Sequence, residues 1–203
     1  MAKVNVSITN DSWLDEANTA TNHGTDQTLK VGTQADAGRT QRAKYGIFYP
    51  SYPNLGSVTV TRARLRIDVN SITGSQGVDL FCNRLVSTGW TEGAVTWSQK
   101  TLVAAWAGGG AISGLDYSVV NEATLSLPVL TGLQWLELGK DLGQDLYDNA
   151  AAFILRSGVP GSWKNNDFFD MDSSETLVGN PPLLELSYHT PALKRKTRAV
   201  SIA

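Results

Sequence analysis

The stretch that decides the fold is VTVTRARLRIDV, Val58–Val69. Ala63, Leu65, Ile67 and Val69 fall on one side of a two-residue repeat, while Arg62, Arg64, Arg66 and Asp68 fall on the other, as in a strand with one buried face. Val58 and Val60 belong to the opposite phase, which predicts a bulge or a change of sheet near Thr61.

Working outward, similar short runs recur at KVNVSI, TLKVG, KYGIFY, VDLFCNRLV, ATLSLPVL, LQWLEL, AAFILRS and PLLELSY, separated by Gly, Asn, Asp and Pro clusters. Many short strands at turn-punctuated spacing predict an all-β chain, an antiparallel β-sandwich of jelly-roll type. One segment departs from the pattern. KDLGQDLYDNAA sets Leu142 and Leu146 four apart with Tyr147 beside them, which predicts one short amphipathic helix despite Gly143. The alternation stops after Tyr188, so the reading is one domain over residues 1–188 and a basic tail over 189–203. AAWAGGGAISG, Ala104–Gly114, reads as a glycine-rich surface loop.

The 203 residues, 41% of them hydrophobic, suit one domain with a substantial core. The formal charge is only −2, which gives no overall signal for nucleic acid or an anionic membrane. The tail holds Lys194, Arg195, Lys196 and Arg198 with no acid, leaving 13 basic against 19 acidic residues before it. Four charges give only weak, salt-sensitive nucleic-acid binding, and an arm that docks on a neighbouring protein accounts for the tail equally well. Cys82 is the single cysteine, so no intrachain disulfide forms, and its strand-like setting reads as core. The stretch MAKVNVSITNDSW carries no apolar h-region, so no secretion leader is expected, and no run approaches the roughly 18 apolar residues of a bilayer span.

Catalytic chemistry finds little material. The two histidines, His23 and His189, are far apart in the chain, and no nucleophile elbow, phosphate loop, HExxH or CxxC occurs. A carboxylate pair could draw on Glu92, Glu122, Asp167, Asp170, Asp172 or Glu175, but Asp and Glu in a β-rich chain serve first as turn formers and solvated charges. No enzyme is expected and no cofactor is required. NNDFFDMDSSE, Asn165–Glu175, gathers Asp167, Asp170 and Asp172, oxygen ligands of the kind calcium takes, so a structural calcium competes there with plain turn chemistry. DSWLDEANTATNHGTD offers Asp11, Asp15, Asn22 and Asp26 in the same way.

In order along the chain, TNHGTDQTLKVG, RAKYGIFYPSYPNLGSVTVTRARLRIDV, WTEGAVTW, LQWLELGKDLGQDLYDNAAAFILRS and DFFDMDSSETLVGNPPLLELSY resemble the DNRLRE-domain family over about Ile8–Tyr188. That family is similar to a group of carbohydrate-binding modules. The resemblance implies a jelly-roll sandwich without catalytic machinery, appended to secreted or surface proteins, some of which bind acidic polysaccharides.

Within WTEGAVTW, Trp90 and Trp97 with Val95 read as core, and Glu92 reads as an acceptor for a nearby backbone N–H, fixing the turn at Gly93. Trp135 shares a face with Leu133 and Glu137 opposite Leu136 and Leu138, and alternation alone leaves its burial open. The candidate glycan or partner platforms are the aromatics in polar loops, Trp13, Trp106 and Trp163, with Tyr49 and Tyr52 between prolines. The row Arg62, Arg64 and Arg66 would project about 6–7 Å apart towards a polyanion or an acidic subunit, or form a solvated face balanced by Asp68.

Two functional classes follow. The first is a structural protein of a tailed-bacteriophage virion, assembled in the host cytoplasm, with capsid, tail or fibre proteins or further copies of itself as partners. The second is an extracellular module that binds surface or acidic polysaccharide. A carboxylate-pair glycosidase or lyase is a distant third.

Overall fold

The computed structural model describes residues 1–35, 41–73, 78–87, 89–107, 115–127, 130–157 and 168–191. The strands are β1 (Ala2–Asp15), β2 (Thr28–Ala35), β3 (Gln41–Pro50), β4 (Thr59–Thr73), β5 (Val78–Arg84), β6 (Ala123–Leu127), β7 (Gly132–Glu137), β8 (Phe153–Ser157), β9 (Phe168–Asp172) and β10 (Leu183–His189). The single helix among the described residues is α1 (Lys140–Asp148).

Every strand pairing is antiparallel. The all-β, antiparallel, one-helix expectation therefore holds at that level. The connectivity is more closed than two stacked sheets, because β1, β10, β4, β9, β2 and β3 pair in that order and β3 returns to β1. Closure removes the free edges an open sandwich would leave. Outside the ring, β7 lines the far edge of β4, while β8, β5 and β6 extend from β3.

The bulge expected at Thr61 is present: Ser187 of β10 faces Arg62, the next residue, Tyr188, faces Val60, and Thr61 is skipped. That shift is what lets Val60 and Ala63 both face inward. It also coincides with the docking of α1. The Gln144 amide oxygen accepts the Val60 N–H at 2.7 Å, and the Leu138 N–H donates to the Ala63 carbonyl at 2.9 Å. Leu142 and Leu146 are buried. Gly143 is required rather than merely tolerated, because a Cβ there would overlap that of Ala63.

Two apolar clusters fill the interior. The larger one, inside the ring, includes Phe48, Leu65, Ile67, Cys82, Phe153 and Phe169. The second packs Leu14, Tyr45, Ile47, Val95, Trp97 and Trp106 on the other side of β3. Strand β3 feeds both, Phe48 to the first and Tyr45 and Ile47 to the second, as alternation requires. Cys82 and Trp97 are core, as expected.

Candidate functional site

The WTEGAVTW segment is held by the N-x-G turn that precedes β2. The Asn22 amide donates to the carbonyls of Glu92 at 2.6 Å and Val95 at 2.7 Å. Gly24 lies so close that a Cβ on it would collide with the Glu92 carbonyl. These two sequence motifs are one interlocked unit. Its consequence is to fix Trp90 at the mouth of a surface cleft.

The cleft encloses about 270 Å³ between the β1–β3 pair, the segment around Trp90 and the chain leaving α1. Tyr49, 42% exposed on β3, and the half-buried Trp90 are its aromatic residues, with Asn10 and Asn149 supplying amides. Asn10 faces Tyr49 directly across the β1–β3 ladder. The wall formed by Asn149–Ala152 depends on how α1 ends. Ala150 takes φ 44°, its N–H bonds the Tyr147 carbonyl, and the Ala151 N–H bonds the Leu146 carbonyl, a Schellman-type closure with alanine where glycine is usual. Among the described residues no charged side chain lines this cleft.

A second concavity of about 390 Å³ is bounded by Trp13, Asp15, Asn18, His23, Lys30, Gln34 and Lys44. Its charges are largely matched: Lys44 Nζ lies 3.1 Å from Asp15, and Lys30 Nζ 3.6 Å from Asp170. Trp13 is already occupied, with His23 stacked on it at 3.7 Å and Lys44 Nζ 4.5 Å from its centroid.

The third concentration of functional groups is a carboxylate trio. Asp11 on β1, Glu92, and Glu175 after β9 bring one oxygen each to within 4.8 Å of the others. Glu92 Oε1 accepts the Asp11 N–H at 2.7 Å, and Asp11 Oδ2 accepts the Ser174 N–H at 2.7 Å. Burial, reinforced by the charge of Glu175, pushes Asp11 up to about 8. Burial likewise raises Glu92 above the usual carboxylate range. The expectation that Glu92 accepts a backbone N–H is met, but the donor belongs to β1, so the residue ties a strand down instead of shaping its own turn.

Several expected platforms are corrected. Trp13 lies in strand β1, not in a loop, and is 5% exposed, its indole N–H donating to Asp26 at 2.9 Å. Trp106 is 2% exposed, and its N–H is spent on the Thr96 carbonyl at 2.9 Å. Tyr52 packs on the larger cluster and donates its hydroxyl to the Ala151 carbonyl at 2.9 Å. Of the described platform aromatics, Tyr49, which lies in strand β3, alone keeps the open position expected of it. Trp90, read as core, instead borders the cleft from the rim of the second cluster.

The arginine row is also committed. Arg62 pairs with Glu137, Arg64 forms a fork on Glu185 at 2.8 and 3.1 Å, and Arg66 donates to the Pro181 carbonyl at 3.1 Å. Glu137 and Glu185, and not Asp68, balance the face; Asp68 accepts from Asn180. Trp135 is on this outer face, 40% exposed, with the Arg64 guanidinium 4.0 Å from its centroid.

Of the three acids chosen for calcium, the two described ones already have partners. Asp170 accepts from Ser71 and faces Lys30, while Asp172 accepts from Asn70 and the Asn180 N–H. Glu122 pairs with Arg156. Trp163, Asp167, Lys194, Arg195, Lys196, Arg198 and the glycine run 108–114 lie outside the described residues.

The comparison with curated proteins gives no match. A family model described as carbohydrate-binding module family 96 matches residues 2–105. The matched span contains β1–β5, the interlocked turn and WTEGAVTW. It bears out the carbohydrate-module side of the resemblance and lends nothing to the virion reading. Modules of this kind are non-catalytic, in keeping with the dearth of catalytic motifs. By that match, which spans half of its length, the chain belongs to carbohydrate-binding module family 96.

Proposed function

We propose that this chain is a non-catalytic glycan-binding module whose ligand sits in the cleft between Tyr49 and Trp90. The observation that carries the reading is an open cleft whose described lining has two aromatic side chains and no charged one, in a chain of this family. A pyranose ring presents an apolar C–H face that suits an aromatic ring, and hydroxyls that suit the amides of Asn10 and Asn149. The lining favours a neutral sugar. The volume is near the lower end of small-molecule sites, roughly 300 Å³, which fits a reach of one or two sugar units.

A second reading, an acidic polysaccharide, is favoured by Lys30 and Gln34 at the other concavity. Lys30 keeps part of its side chain in solvent and could meet a uronate carboxylate.

Affinity electrophoresis through gels of neutral and of acidic polysaccharides separates the two. Retardation by a neutral polymer, weakened about tenfold by Tyr49→Ala or Trp90→Ala, is the expected result. Retardation by acidic polymers alone, lost in Lys30→Ala and kept in Tyr49→Ala, moves the site to the second concavity. Free migration in every gel removes glycan binding altogether.

A further inference from the structure

We propose that Asp11, Glu92 and Glu175 form a binding site for a divalent cation of the calcium class. Oxygens that share a calcium ion lie 2.3–2.6 Å from it, so any two are at most about 5 Å apart. The three carboxylates already meet that limit. The donors are all oxygen, with no thiolate or imidazole in the group, which suits a hard cation and not zinc or copper.

A second observation points the same way. Asp11 is 1% exposed, yet its Oδ1 has no hydrogen-bond partner, and the buried Oε2 of Glu175 has none either. A buried carboxylate oxygen left without a donor carries a desolvation cost that folded proteins seldom tolerate. Elsewhere buried Asp15 has Lys44, Asp172 has two amide donors and Glu185 has Arg64, and Asp170, whose Oδ1 also lacks a hydrogen bond, has the Lys30 ammonium 3.6 Å away. Among the described residues no lysine or arginine pairs with any member of the trio. Among the described residues the only donors turned on it are neutral: the N–H groups of Asp11 and Ser174, and the Ser174 hydroxyl, which donates to Glu175 Oε1 at 2.8 Å.

The three acids come from β1, from the segment beside the cleft and from the β9–β10 connection. An ion there would clamp three parts of the fold that no strand pairing joins. Asn10 and Trp90, both at the cleft, are one and two residues from ligands. The site stands whether or not the cleft takes a glycan.

The test uses the full chain, stripped with chelator and titrated with calcium chloride, read by calorimetry and thermal unfolding against sodium chloride of equal ionic strength. One site is expected, with Tm raised by about 5–10 °C at a hundredfold excess over Kd. Glu175→Gln, nearly the same in shape, should weaken binding at least tenfold and remove most of the rise. If that variant does not fold, Glu92→Gln carries the same expectation. Neither heat nor a Tm change at ~10 mM calcium chloride, ample for the weakest extracellular modules, would overturn the proposal and leave a proton shared between Asp11 and Glu175 as what holds the acids together. A rise undiminished in both variants would also overturn it, by placing the ion elsewhere.

Discussion

The outer face of β4 and the carboxylate trio behind WTEGAVTW both crowd like charges into a small space, and the protein treats them in opposite ways. On β4 each arginine has an acceptor in the chain, so Glu137 and Glu185 are held below the usual carboxylate range by Arg62 and Arg64. In the trio no cation among the described residues answers the acids, and Asp11 and Glu92 are pushed up. Charge density alone is therefore a poor sign of function. The arginine row, conspicuous in the sequence, is an internally neutral surface, whereas three scattered acids are the group left unmatched.

The largest expected effect comes from breaking the support of the trio. Gly24→Ala drives a Cβ into the Glu92 carbonyl, a backbone atom with nowhere to retreat, and should cost about 3 kcal/mol or prevent folding. Urea denaturation of the purified variant measures it.

Next in size is a pH dependence of opposite sign at the two regions. A carboxyl raised on folding contributes stability that is complete below its unfolded value and is lost as pH rises through its folded value. In chelator, Asp11 should therefore cause stability to fall between about pH 4 and pH 8, by a few kcal/mol. Asp11→Asn should flatten that limb. Glu185 and Glu137 are lowered on folding, so their contribution is present above the unfolded value and fades on acidification. Urea midpoints collected from pH 3 to pH 9 show both limbs, and a flat alkaline limb in chelator would erase the contrast.

The smallest effects belong to the neutral face. Arg64→Ala removes a fork to a nearly buried glutamate together with its stacking on Trp135, and should cost about 1–2 kcal/mol. Arg62→Ala, at a solvent-exposed pair, should leave the urea midpoint unchanged. Neither should alter retardation by any polysaccharide.

What could be read from the sequence divides along the same line. Wherever a residue's fate follows from its immediate neighbours, the reading holds: the phase break at Thr61, the Leu142–Leu146 stripe, Cys82 and Trp97. It fails where distant contacts decide. Trp13 sits among Asn10, Asp11, Ser12 and Asp15, which looks like a loop, but partners far along the chain let β1 run through those polar residues. Trp106, next to a glycine run, is drawn inward by the Thr96 carbonyl. Asp11, Glu92 and Glu175 are 81 and 83 positions apart, and no local period links them. The available signal was that WTEGAVTW and the closing SSE element each carry one acid. The cluster of Asp167, Asp170 and Asp172 looked the better metal site because neighbours in sequence are easy to see, yet Asp170 and Asp172 already have donors, and Asp167 lies outside the described residues.

Those separations also bear on how the molecule folds. Drawing residues 11, 92 and 175 together closes two loops of about eighty residues each, and such contacts form only after most of the chain has been ordered. A clamp assembled that late is absent from the folding transition state, so strengthening it slows escape from the native state while leaving the rate of folding nearly unchanged. The trio is thus placed to govern how long the folded module lasts once made, rather than how readily it forms.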